Sequence, residues 1–168
     1  MPFKNSTFFR PANGRYLGIF IGTEEGPEQT HKKDDGRLVT EGTMLWSFQI
    51  YDLQTRQPIV DPQTNSAPAV AQGMSSQTVG IGKNGVPAKA RTWMSALLAA
   101  NGRVFEDAMD PNEQIAFCLN AQVILNFGRS QTGKDGTLKD IEPLPPVNAA
   151  APVAPVAVGA VAAIPPVE

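Results

Sequence analysis

The chain has 168 residues, 42% hydrophobic and 18% charged, a size and balance that fit one domain with a buried core. Its 14 basic and 16 acidic side chains leave a formal net charge of −2, so any nucleic-acid binding must come from a local cluster of cations. One cysteine and one histidine exclude an internal disulfide and leave no ligand set for a Cys/His zinc site. His31 lies in the polar run "EQTHKKDDGR" and reads as a solvated loop residue rather than half of a catalytic pair. No apolar run approaches the roughly 18 residues that span a bilayer, and "MPFKNSTFFR" lacks the apolar stretch of a secretory leader. The expected location is the cytoplasm.

In chain order, "RYLGIFIG" (15–22) is the first strand, with Leu17, Ile19 and Ile21 on one face and Tyr16 and Phe20 on the other. Gly18 within it points to a bulge or a bend. A long polar connection leads to "MLWSFQIYDL" (44–53), where Trp46, Phe48 and Ile50 alternate with Leu45, Ser47, Gln49 and Tyr51, the clearest half-buried strand. "QTRQ" turns the chain into "PIVDPQ" (58–63), a short return strand whose proline favours an edge or a strand start. Residues 61–86 are rich in Gly, Ser, Pro, Asn and Gln and read as a long loop.

"PAKARTWMSALLAANG" (87–102) is a helix, opened by Pro87 and closed by Gly102, with Ala90, Trp93, Met94, Leu97 and Leu98 as its apolar stripe. Asp110, Pro111 and Glu113 start a second, short helix, whose helical spacing makes Cys118 a small buried hydrophobe. "AQVILNFG" (121–128) is a strand, "RSQTGKDG" a turn and "TLKDIEPL" (137–144) the last strand. From Pro143 to Glu168, 21 of 26 residues are Pro, Ala or Val, so this segment reads as a disordered or polyproline-like tail. The expected organisation is a domain over 1–142 and that tail over 143–168.

Two motifs resemble nucleotide sites. Gly128, Gly133 and Lys134 match most of a phosphate-binding P-loop, but Asp135 stands where Ser or Thr should follow, and a strand-like segment stands where a helix should. Asp-Gly between two alternating segments reads instead as a hairpin. Gly80, Gly82 and Gly85 spell G-x-G-x-x-G before a helix, yet "QGMSSQTV" is too polar for the central parallel strand such a site needs. The adjacent carboxylates Glu24–Glu25, Asp34–Asp35 and Glu106–Asp107 lie in polar stretches and read as surface charge. The chain is therefore not expected to be an enzyme, and no cofactor or metal is expected.

The order strand, strand, strand, helix, strand, strand is that of the OB fold, a mainly β architecture in which a five-stranded barrel carries a helix between its third and fourth strands. In such a barrel the loop joining strands one and two and the loop joining four and five flank the binding face. Here they contain Lys32, Lys33 and Arg37, and Arg129 and Lys134 respectively, while Lys83, Lys89 and Arg91 surround the helix start. With Tyr16, Phe20 and Tyr51 taken as outward-facing, rings and cations together suit single-stranded nucleic acid, at roughly 1–3 kcal/mol per stacked base. The alternative packs those rings under a loop or at a subunit contact, with the lysines conferring solubility.

"WSFQIYD", "ARTWMSALLAANG" and "AQVILNFGRSQTGKDGTLKDIEPLP", in that order over about residues 7–146, resemble segments of a group of small phage- and prophage-encoded proteins. The resemblance implies an OB-fold, single-stranded DNA-binding accessory of replication or recombination, working in the host cytoplasm. This chain departs from the group by its loop "APAVAQGMSSQTVGIGKNG" and its apolar tail. Bacterial single-strand binders commonly end in an acidic tip, where this chain has only Glu168. A structural or protein-interaction module using the same face, a homo-oligomer, and a protein partner held by the tail stay open beside it.

Overall fold

Alternation of apolar and polar residues along Gly14–Glu25 and Thr43–Asp52 builds the two longest strands, β1 and β4, which pair antiparallel from Tyr16↔Asp52 to Glu25↔Met44. The computed structural model describes residues 9–82 and 84–144. Lys83 and the tail beyond Leu144 lie outside the described residues. Between β1 and β4 the polar connection folds into a hairpin of its own, β2 (Gln29–Lys32) and β3 (Leu38–Glu41), a separate two-stranded sheet. The main sheet is completed by β5 (Val70–Ser76), β6 (Gln122–Gly128) and β7 (Thr137–Pro143), all antiparallel, in the order β5-β4-β1-β6-β7.

The third strand of this sheet is β5, not "PIVDPQ". Pro58 makes only an isolated bridge to Tyr51, and Asp61 turns the chain by accepting from the Gln63 N–H and bridging to Ser66. β5 lies inside the stretch that composition assigns to a loop. Its inward positions are Ala71, Gly73 and Ser75, small because the rings of Trp46 and Trp93 already fill the space beside them. Small residues carry no hydrophobic alternation, which is why the strand is inconspicuous in the sequence.

Gly18 is not a bulge. The register runs unbroken through it, pairing with Ile50 and Val123, and shifts instead between Phe20 and Gly22. A side chain at position 18 would collide with Leu125, so this glycine marks a close approach from the core side.

Helix α1 (Lys89–Ala100) buries Ala90, Trp93, Met94, Leu97 and Leu98, the stripe its spacing predicts. It ends at Gly102, whose φ of 74° lets Gly102 N–H and Arg103 N–H return to the carbonyls of Ala99 and Leu98. Helix α2 (Pro111–Gln114) starts where the Asp110 carboxylate accepts from Asn112 N–H, and continues as a 3-10 turn, Ile115–Cys118.

The sheet curls around these helices. Phe20, Trp46, Phe48, Ile50, Trp93, Leu97 and Leu125 form the main core, with Trp46 edge-on to Trp93 at 5.7 Å. The edge strands β5 and β7 come together over it: a Cβ added at Gly73 would stand 2.5 Å from Leu138 Cδ2. Among the described residues no backbone ladder joins β5 to β7, so the sheet is curled without being closed. Phe9, bridged to Ala71, and Pro11, whose carbonyl approaches Gly136, run in that gap. A second, smaller cluster of Leu17, Ile19 and Tyr51 lies on the opposite face of the sheet.

Candidate nucleic-acid interface

The two cation-bearing hairpins leave opposite ends of β1. The β6–β7 hairpin stands beside its start, where Gly14 faces Phe127, and the β2–β3 hairpin follows its end at Glu25. About 35 Å of strand separates them, from a rise of about 3.3 Å per residue.

The β2–β3 turn is closed by Lys33 N–H to the Arg37 carbonyl at 2.8 Å and by Gly36 N–H to the Lys33 carbonyl at 2.9 Å. Its cations are interleaved with carboxylates. Arg37 Nε donates to Asp35 at 2.6 Å, and Lys33 Nζ stands 3.9 Å from Glu41, which also faces His31 at 3.8 Å. In the β6–β7 turn, Arg129 donates to both oxygens of Asp135 at 3.0 and 3.3 Å, and Asn13 adds a third bond at 3.1 Å. Arg129, then Asn13, hold the Asp135 carboxyl below the usual carboxylate range, and Asp135 in turn raises Arg129. Lys32 and Lys134 have no ion-pair partner among the described residues.

This geometry disposes of the P-loop resemblance. Lys134 N–H is taken by Ser130 Oγ, Ser130 N–H by the Lys134 carbonyl and Gly133 N–H by the Ser130 carbonyl. The turn thus uses its own donors internally, and β7 follows it rather than a helix. The glycine run before α1 likewise closes on itself, Gly82 N–H bonding the Val86 carbonyl and Gly85 N–H the Gly82 carbonyl. At the helix start Arg91 pairs with Asp107 at 2.8 Å and lies over Phe105, while Lys89 lies over Trp93.

The outward placement of Phe20 and Tyr51 is corrected. Phe20 is fully buried between Trp46 and Phe48, because it shares its alternation phase with Tyr16 and Gly18 on the helix side of β1 and pairs with Phe48. Tyr51 is fully buried as well, but on the other face, since register sets it opposite Leu17. The three rings therefore do not share a surface. Tyr16 alone among them is partly exposed; its hydroxyl donates to the Ala12 carbonyl at 2.8 Å and its ring meets Phe127 edge-on. Burial, and then the charge of Asp52, raise its phenol.

The face between the hairpins contains residues that sequence reading did not single out. Across β4, β1 and β6, Gln49, Ile19 and Gln122 form one row and Tyr51, Leu17 and Ile124 the next. The carbonyl oxygens of Gln49 and Gln122 and the hydroxyl of Tyr51 are buried without a hydrogen-bond partner. The alternation in "FQIYD" and "AQVILN" holds the signal for these rows, but only the register brings them together. A separate cleft of about 140 Å³ between the β4 end and the helices is lined by Met44, Gln77, Met94 and Asn112, and has no charged side chain to meet a phosphate.

Among the described residues no group of three or more His, Cys, Asp or Glu could hold a metal ion, and no helix is long and apolar enough to cross a membrane. No protein-family model matches the sequence, and no curated protein is similar enough to count as a relative.

Proposed function

We propose that this protein is an OB-like, sequence-tolerant binder of single-stranded DNA, an accessory of replication or recombination acting in the cytoplasm, without catalysis. The observation that carries the reading is the strand order. Renumbered along the main sheet alone, it runs third, second, first, fourth, fifth, with α1 between the third and fourth strands and a cation-bearing hairpin at either end of the first.

In this reading the backbone of the strand crosses the sheet between the hairpins. Lys32, Lys33 and Arg37 meet phosphates at one end, Arg129 and Lys134 at the other. Arg37 and Arg129 exchange Asp35 and Asp135 for phosphate, an exchange that holds affinity down. Electrostatic contact, rather than stacking on Phe20 or Tyr51, supplies most of the binding, with Tyr16 as the accessible ring. A protein-interaction module is the second reading, favoured by the exposed apolar side chains of Ile21 and Leu38.

The test is a fluorescence titration of labelled oligo-dT and matched duplex at several salt concentrations. Affinity for the single strand should fall with salt, and Lys32→Ala and Lys134→Ala should each flatten the log–log slope by about 0.7. No binding at low salt, or binding indifferent to salt, refutes the proposal.

A further inference from the structure

We propose that the cleft of about 140 Å³ where β4 meets the helices binds one uncharged, planar heteroaromatic ring, the chemistry of a nucleobase. Its inner wall is apolar and polarisable: Trp46, Met94 and Ala90 are buried, and Met44, Val79 and Ile115 are half-buried around them. Thioethers and an indole suit an aromatic guest in particular. The rim is polar, with the hydroxyls of Thr23 and Ser76 and the amides of Gln77 and Asn112. Among the described residues the side chains of Thr23, Ser76 and Asn112 have no hydrogen-bond partner. Neighbouring groups hold the walls in place. Trp46 Nε1 donates to Ser75 Oγ at 2.8 Å, Arg91 Nη1 to the Val79 carbonyl at 3.2 Å and Gln77 Nε2 to the Thr43 carbonyl at 3.0 Å. The Gln77 amide lies over Gly42, where an added Cβ would stand 2.7 Å from Nε2 and 3.0 Å from Oε1. Nε2 is thereby committed, and Oε1 stays as a fixed acceptor at the rim.

Size and charge decide the ligand class. A dry cavity of about 150 Å³ holds one benzene ring, whereas drug-sized ligands occupy about 300–1,000 Å³. The cleft therefore takes a single ring and leaves a sugar or a chain outside. None of its lining residues is charged, so a phosphate, carboxylate or ammonium would enter without a counter-charge. An aliphatic guest would strip water from Thr23, Ser76 and Asn112 and return no hydrogen bond. The two hydroxyls donate or accept, Asn112 does both and Gln77 Oε1 accepts, which matches a ring whose edge carries N–H and carbonyl groups side by side. Two sources carry such a ring: a free nucleobase or nucleoside, and a base turned out of a bound single strand. The hairpin bearing Lys32, Lys33 and Arg37 joins the sheet beside the cleft, since β3 ends at Glu41 and β4 begins at Thr43. The ring chemistry does not rest on the single-strand reading; only the second source does.

The experiment follows the methionine methyl groups of the full chain during titration with thymidine and adenosine, then with oligo-dT and an abasic strand of the same length. A nucleoside should shift Met44 and Met94 and leave the exposed Met74 of β5 unmoved. Asn112→Ala and Thr23→Val each remove one rim group without touching the apolar wall. Each should weaken nucleoside binding by about 2–10-fold and leave toluene binding unchanged. If the strand supplies the ring, oligo-dT shifts the same two methyls and the abasic strand does not. Oligo-dT that binds without moving them, beside nucleosides that do, assigns the cleft to a free ring. Nucleosides that shift them while no oligonucleotide binds keep the cleft and overturn the single-strand reading. The cleft proposal itself is overturned if neither nucleosides nor oligo-dT move the two methyls, whether or not DNA binds. Toluene moving them where nucleosides do not, or nucleoside affinity unchanged in both variants, overturns it as well.

Discussion

Adding one methyl at Gly73 tests the meeting of β5 with β7 more directly than deleting any core residue. The new Cβ would stand 2.5 Å from Leu138 Cδ2 and 2.9 and 3.0 Å from two ring carbons of Trp93. The indole is fully buried and already packed edge-on against Trp46, so it has little room to retreat. Overpacking of this kind costs about 1–3 kcal/mol, which at roughly 3–5 °C per kcal/mol lowers Tm by several degrees. Leu138→Ala alone empties a buried position and costs about 2–5 kcal/mol. In the double variant the methyl at 73 occupies room that Leu138 has left, so the combined cost falls short of the sum by about 0.5–3 kcal/mol. Urea unfolding of the four proteins of the cycle measures this coupling. Costs that add to within about 0.5 kcal/mol would mean that positions 73 and 138 do not touch, and the curled sheet would be refuted.

Three further outcomes follow from buried polar groups. Trp46 Nε1 donates to Ser75 Oγ at 2.8 Å, so Ser75→Ala strands a buried N–H and should lower stability by about 1–3 kcal/mol in urea; an unchanged midpoint would deny the bond. Gln114, 1% exposed, accepts from Glu106 N–H and donates to the carbonyls of Glu106 and Met109; Gln114→Ala should speed amide exchange across 104–110 while leaving β1 and β4 protected. Burial pushes the Tyr51 phenol from 10.0 up to about 12, so the folded state keeps a proton that the unfolded chain releases near 10. Its contribution is full below about pH 10 and is lost as pH rises towards 12, about 2–3 kcal/mol in all. The stability difference between parent and Tyr51→Phe across that window isolates it from Cys118, whose thiol burial also raises to about 12. A difference that stays flat from pH 9 to 12 contradicts the burial of Tyr51.

The pattern of long strands and one amphipathic helix was legible because it is written in local periodicity. Trp46, Phe48 and Ile50 at every second position, and Trp93, Met94, Leu97 and Leu98 at helical spacing, reach the core as their spacing requires. The hairpin at Gly128–Leu138 was legible for the same reason: an aspartate where a P-loop needs a hydroxyl, followed by a strand. β5 was not legible, because its inward residues are small and their smallness answers to Trp46 and Trp93 from elsewhere in the chain. Nor was the β2–β3 hairpin, whose residues are nearly all exposed and leave no apolar signal.

The sequence by itself determined which residues alternate; it could not determine which phase faces inward. Phe20 and Tyr51 show the difference. Each belongs to an alternating strand, and either phase of "RYLGIF" offers enough apolar surface to be the core side. Pairing decides it: Phe20 opposite Phe48 falls under the helices, and Leu17 opposite Tyr51 falls on the other face. Because side chains reverse face with every residue, a register set by contacts over long sequence separations turns a proposed stacking platform into core. The same register assembles Gln49, Ile19 and Gln122 into one row.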